Sequence, residues 1–254
     1  MFPESLTAEA QQAIPIDDWI TVFNGMLDSN GAVAASSVNF IAPSTNEFTR
    51  VIGELRVTTN SVEAAKQIQQ LGVFWPRYNW ALYSITDDNL DRPQDAIAVI
   101  NAAKAIGYKV VIAYSRQEYN RASLYSSSPS GVATYIQALA QNADGFIPLW
   151  RGASPEHTTA GDDDLDMAKD LLGRWLAETA RAANPSIQIW GIYERKETMA
   201  YHWVPPYASA VLVTQVGNNG FADPPVLSDI ADEIYTMTGQ NRPAIVYGPL
   251  FWPS

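Results

Sequence analysis

Cysteine is absent from the 254-residue chain, which excludes disulfides, thiolate nucleophiles and cysteine-ligated zinc or iron–sulfur centres. It does not fix the compartment, because many secreted proteins of this size do without disulfides. Histidine occurs twice, as His157 and His202, without an HExxH spacing. The pair makes a poor metal set, so no metal site is expected, and no serine stands in a GxSxG elbow to support a hydrolytic triad. GxGxxG and P-loop patterns are missing as well, so no cofactor is expected. No apolar run approaches the roughly 20 residues of a bilayer span, and membrane insertion is not expected. The opening MFPESLTAEAQQ lacks the basic and apolar regions of a signal peptide, so a soluble form is expected, although a processed protein or an excised domain would look the same. An extracellular or virion-associated setting is favoured over the cytoplasm.

Charge is scarce and one-sided: 17% of residues are charged, with a formal net charge of −11. Such a chain is repelled by nucleic-acid phosphates and anionic membranes, which leaves neutral or cationic partners. Hydrophobic residues make up 47% of the chain, enough for a sizeable core, and no composition shift marks a linker. Residues 1–31 read as an N-terminal extension on a single domain spanning 32–254. The extension carries an amphipathic segment, Asp17 to Leu27, with Trp19, Ile20, Val22, Phe23 and Met26 at helical spacing.

After Thr58 a grammar of helix followed by buried strand repeats. Val62, Ala65 and Ile68 share a helix face that Gly72 is expected to end, with VFW (73–75) as the strand. Ala96, Ile97, Ile100 and Ala103 share another, closed by Gly107 before KVVIAY (109–114). Helix 131–142 precedes strand 145–150, helix 165–183 precedes strand 187–193, a strand follows at 210–216, and helix 226–238 precedes strand 244–247. Candidate strands at 32–42 and 50–58 complete a count of eight, which predicts an α/β fold of the (β/α)8 TIM type, irregular at its first strands. An open parallel sheet is the alternative. SSSPS (126–130) reads as a polar loop. The acidic run Asp162, Asp163, Asp164, Asp166 lacks EF-hand spacing and stands where a helix begins, so it reads as N-terminal capping.

Parallel α/β folds build sites beyond the carboxyl ends of their strands. The residues at those expected ends are Arg77 and Tyr78; Arg116 and Glu118; Trp150 and Arg151, with Glu156 beyond; Tyr193 and Glu194; Gln215 and Asn218; and Tyr247 with Trp252. Aromatic faces among amides and arginines suit sugar recognition, by stacking and by convergent donors and acceptors. Glycoside hydrolysis needs two carboxyl groups flanking the scissile bond. Glu194 and Glu118 are the first choice and Glu156 the reserve, with Arg116, Arg151 or Arg195 available to keep a carboxylate ionised. Each choice has a plainer reading. Glu118 and Glu194 have arginine neighbours and could form loop salt bridges, Glu156 suits a solvated loop, and Trp75, Trp150 and Trp190 suit the core.

The run of helix, GYKVVIAY strand and polar-aromatic loop is similar to carbohydrate-active (β/α)8 barrels. The large clan with an Asn-Glu acid after strand four would have it where this chain has Arg151-Gly152, and QVGNNG (215–220) supplies no carboxylate near strand seven. Two functions therefore stand open: a glycoside hydrolase-like protein acting on an extracellular or cell-wall polysaccharide, and a non-catalytic carbohydrate-binding or structural barrel among other subunits of a larger surface or viral assembly. A lyase or isomerase using the same barrel mouth with an unrecognised metal is a third reading.

Overall fold

A computed structural model describes residues 17–32, 34–42, 51–56, 61–85, 90–115, 128–150, 163–196, 199–215, 232, 235–236 and 244–246. Its strands are β1 (Val51–Arg56), β2 (Trp80–Ile85), β3 (Lys109–Ser115), β4 (Gly145–Trp150), β5 (Gln188–Lys196), β6 (Met199–Trp203), β7 (Ala210–Gln215) and β8 (Ala244–Val246). They form one eight-stranded sheet in the order β1-β2-β3-β4-β5-β7-β8, with β6 attached to β5. Every ladder along that order is parallel; β5–β6 alone is antiparallel. Helices α1 (Asp17–Asn24), α2 (Ser61–Phe74), α3 (Pro93–Ile106), α4 (Pro129–Ala140) and α5 (Asp163–Ala183) complete the described elements. Helices alternating with the strands of a parallel sheet make this an α/β fold of the TIM type. Among the described residues the sheet is open, since no ladder joins β8 to β1.

The central strands β2 and β3 are largely apolar because both their faces are covered. All of Val110 to Tyr114 in β3, and Trp80 to Leu82 with Tyr83 and Ile85 in β2, are buried. On α3, Ala96, Val99, Ile100 and Ala103 are buried at helical spacing, with Pro93 in the first turn. That helix stops at Gly107, whose φ of 118° lies in the left-handed region. There the Gly107 N–H donates to Lys104 O at 3.0 Å and the Tyr108 N–H donates to Ala103 O at 3.2 Å, a Schellman-type end. Ser128 caps α4 by accepting from the Gly131 N–H at 3.2 Å. The expected SSSPS loop thus ends in a cap, and the helix opens at Pro129 instead of Gly131 because proline needs no N–H partner in a first turn. The acidic run coincides with the start of α5 at Asp163.

Three expectations about strands are corrected. VFW is not a strand: Val73 and Phe74 are the last residues of α2, and the chain turns through a cis Trp75–Pro76 peptide before β2 begins at Trp80. Gly72 does not stop the helix, because Ile68, Leu71 and Phe74 keep the apolar spacing through it. The described part of 32–42 is not a strand either; residues 34–42 have no regular secondary structure. Its carbonyls are instead engaged by α5: Arg174 donates from Nη1 to Ala34 O and from Nη2 to Ala35 O, the latter at 3.1 Å. Third, β5 does not end at Tyr193 but runs to Lys196 and pairs with β6. Helix 226–238 lies largely outside the described residues.

Helix α1 packs on α4 and α5. Trp19 and Phe23 are buried there, and the Trp19 ring meets Trp175 of α5 edge-on, with centroids 5.0 Å apart. Glu178, one turn along α5 from Arg174, accepts from Arg174 Nε at 2.9 Å and from Ser36 Oγ at 3.1 Å.

Candidate functional site

Register fixes which residues share a face of the sheet, since paired residues in neighbouring strands lie on the same side and successive residues alternate. Trp80 pairs with Lys109, Val111 with Gly145, Gly145 with Gln188, and Trp190 with Ala210. One face therefore carries Trp80, Lys109, Val111, Gly145, Gln188 and Trp190. The rings of Trp80 and Trp190 meet with centroids 4.6 Å apart, although β2 and β5 are separated by β3 and β4. Two non-neighbouring strands can touch this way only across the concave side, so this face is the barrel interior.

The interior is plugged at its amino end. Trp80 is 1% exposed and Trp190 is fully buried. The Trp190 Nε1–H donates to Gln188 Oε1 at 3.0 Å, and Lys109 Nζ lies 5.6 Å from the Trp80 ring centroid. Gly145 makes room for the plug: a Cβ there would lie 3.3 Å from Trp80 Cζ3 and 3.2 Å from Val111 Cγ2. The two rings thus fill the amino ends of β2 and β5 on this face.

Glu194 lies in β5 towards that end, on the face of Trp190 and Ile192. It pairs with Thr214 of β7 on one edge and with Tyr201 of β6 on the other. β4 pairs with β5 only at Gly145–Gln188 and Phe146–Ile189, and β6 takes over the same edge from Ile192 to Lys196. A hairpin thus replaces the upper part of β4 as the neighbour of β5. On the same interior face, Ser84 near the end of β2 is 8% exposed, and Ser115 at the end of β3 pairs with Trp150 at the end of β4.

The sequence-derived candidates fall into four groups. Glu194 stands towards the carboxyl end of an interior row, and Trp150 ends β4 beyond a register shift, paired with Ser115. Tyr193 and Gln215 belong to the opposite face, and Tyr193 is fully buried, the setting of a core ring rather than of a stacking platform. Arg195 belongs to that opposite row as well, paired with Ala200 and Gln215. Arg77 and Tyr78 are corrected outright: they precede β2 and so lie at the amino end, with the Arg77 guanidinium 6.0 Å from the Tyr78 ring centroid. A six-residue strand separates them from the rim, about 20 Å at strand rise. Arg116, Glu118, Arg151, Glu156, Asn218, Tyr247 and Trp252 lie outside the described residues.

Ser84, Ser115, Tyr201 and Thr214 were not singled out from sequence. Counting parity back from the strand ends finds Ser84, Ser115 and Thr214 once β2 is placed at WALYSI; Tyr201 carries no sequence signal, because its row exists only through the hairpin. Strong perturbations of ionisation among the described residues lie away from the rim. Burial, reinforced by Tyr108, raises the Tyr83 phenol, and burial lowers the Arg181 guanidinium. No group of three or more metal-ligating side chains occurs among the described residues, and no helix among them is long and apolar enough to cross a membrane.

No family model matches the chain, and comparison with curated proteins found no match. Among solved structures, the chain is similar to a complex of a GH113 beta-1,4-mannanase, at 11% sequence identity and a TM-score of 0.46, covering 78% of this chain and 71% of that one.

Proposed function

We propose that the chain binds carbohydrate at the carboxyl end of its barrel and acts there as a glycoside hydrolase-like protein on an extracellular or cell-wall polysaccharide, with Glu194 as one of its two carboxyl groups. The observation that carries this reading is the register position of Glu194, in the row of Trp190 and Ile192 and towards the carboxyl end of β5. Parallel α/β folds place their sites beyond the carboxyl ends of the strands, and hydrolysis of a glycosidic bond needs a carboxyl group on each side of it. Glu118, after β3, and Glu156, after β4, are the proposed partners. Trp150 would supply an apolar face for a sugar ring.

The test is incubation of the purified protein with a polysaccharide panel, followed by mass spectrometry of released sugars. Glu194→Gln keeps size and polarity but cannot exchange a proton, so turnover should fall by about 10²- to 10⁴-fold or more, with fold and sugar binding retained. Turnover unchanged by Glu194→Gln would remove Glu194 from the chemistry. Sugar binding without product from the unaltered protein would favour the second reading, a non-catalytic carbohydrate-binding or structural barrel within a larger assembly. That reading draws on the hydrogen-bonded ladders on both edges of Glu194, a setting that also suits a purely structural residue.

A further inference from the structure

We propose that the protein carries a second carbohydrate-binding surface, at the amino end of the barrel, where the indole of Trp75 stacks on a sugar ring of a neutral polysaccharide and Arg77 donates to its hydroxyls. This surface lies apart from the rim and draws on the reading above only for the class of ligand; the platform stands on side-chain geometry.

Trp75 directly follows α2 and suits the core on its sequence pattern, yet it is 38% exposed. Its indole is nevertheless held in place. A Cβ built on Gly107 would lie 2.7 Å from Cζ2, 3.0 Å from Cη2 and 3.1 Å from Cε2. Three adjacent ring atoms at nearly equal distances place Gly107 against a face of the six-membered ring, not beyond its edge. Tyr108 is buried and meets the same indole at a steep angle, with centroids 5.1 Å apart, and its hydroxyl is anchored by donating to Leu71 O at 2.8 Å. The backbone of the turn is fixed as well: the Trp75 N–H donates to Leu71 O at 3.1 Å and the Tyr78 N–H to Phe74 O at 3.2 Å. An aromatic ring backed in this way, with part of it in water, loses little side-chain freedom when a ligand settles on it.

The surroundings select the ligand. Val73, Pro76 and Arg77 are exposed beside Trp75, a short apolar strip ending in one cation. The Arg77 guanidinium lies 6.0 Å from the Tyr78 ring centroid and offers a fork of N–H donors. A pyranose presents the complement, a flat C–H face bordered by hydroxyls that accept hydrogen bonds. The strip is far smaller than the roughly 20–30 residues a side of a stable protein interface. Nucleic-acid bases stack on indoles too, but a chain of net charge −11 repels their phosphates. The six residues of β2 separate this turn from the carboxyl end of the sheet, about 20 Å at strand rise.

The test reads Trp75 directly. The ¹⁵N spectrum of the indole N–H groups is recorded with mannohexaose, xylohexaose and cellohexaose, and Trp75→Phe identifies the Trp75 signal, which should shift with at least one of them. In native gels cast with soluble mannan, xylan or mixed-linkage glucan, Trp75→Ala should weaken retention by about tenfold. Trp75→Tyr, another flat ring, should restore most of it, and thermal melts check that the variants fold. A Trp75 signal unmoved by all the hexasaccharides, or retention unchanged by Trp75→Ala, overturns the proposal. So does a concentration-dependent dimer that Trp75→Ala abolishes, which would make the strip a contact between copies. The outcome is separable from that of the proposed function: retention that depends on Trp75 in a protein that releases no sugar refutes hydrolysis alone. Sugar release that depends on Glu194, with an unmoved Trp75 signal, refutes only this second surface.

Discussion

Trp80 and Trp190 meet inside the barrel with ring centroids 4.6 Å apart and planes inclined by 55°, yet their indole nitrogens are treated differently. Trp190 Nε1 donates to Gln188, whereas the buried Trp80 Nε1 has no hydrogen-bond partner. Phenylalanine at either position removes similar apolar area, but at 80 it also removes an unsatisfied donor, while at 190 it removes a made hydrogen bond. Trp190→Phe should therefore destabilise the protein by about 1–2 kcal/mol more than Trp80→Phe. Urea unfolding of the two variants measures the difference.

Two glycines should respond in opposite directions. Gly72 lies in α2 with nothing within 4 Å of an added Cβ, so Gly72→Ala should stabilise by about 0.5–1 kcal/mol through helix propensity. At Gly107 the backbone φ is +118° and an added Cβ would stand 2.7 Å from Trp75 Cζ2. Gly107→Ala should cost about 1–3 kcal/mol through backbone strain and displacement of the indole. Thermal melts of both variants give the signs.

Arg174 fastens residues 34–36 to α5 through two carbonyls and, by way of Glu178, the Ser36 hydroxyl. Its side chain is only 12% exposed. Arg174→Ala should lower stability by about 1–3 kcal/mol and speed amide hydrogen exchange across 34–38 while leaving β3 and β4 protected. Arg174→Lys should rescue little, because an ammonium lacks the planar fork that reaches both carbonyls. Exchange measured by mass spectrometry separates these outcomes.

Alkaline pH should unfold the protein through its buried phenols. Burial, with Tyr78 nearby, pushes Tyr108 up from 10.0 to about 12, and burial raises Tyr83 and Tyr207 as well. The folded state holds these protons more tightly than the unfolded state, so the stabilisation is intact below about pH 10 and is lost as pH rises towards 12. The melting temperature should fall over that window. Tyr108→Phe should flatten the fall and, by losing the 2.8 Å bond to Leu71 O, cost about 1 kcal/mol at neutral pH.

The helices and buried strands were legible in sequence wherever one period held without interruption. Ala96, Ile100 and Ala103 mark α3, and the unbroken KVVIAY run marks β3. The misplacement of β2 came from a three-residue apolar run that suits a helix end as well as a strand, with Gly72 read as a stop although Leu71 and Phe74 carry the helix past it. That one slip moved Arg77 and Tyr78 from the amino end to the rim and hid Ser84. The end of β5 was misread for a different reason. Charged residues after Tyr193 look like a loop, but β6 and β7 supply hydrogen-bond partners on both edges, and the strand continues to Lys196. Tertiary pairing of that kind has no local signal.

The β5–β6 hairpin also bears on the order in which the sheet assembles. Each parallel ladder here joins strands separated by a helix or a longer connection, so its loop must close before any hydrogen bond forms. Lys196 and Met199, by contrast, are paired almost at the turn itself. Among the described strands, the β5–β6 pair is the one that can zip up from local contacts, on the microsecond scale of isolated hairpins. Positions 194 and 201 can thus be paired before β7 docks on the other edge of β5.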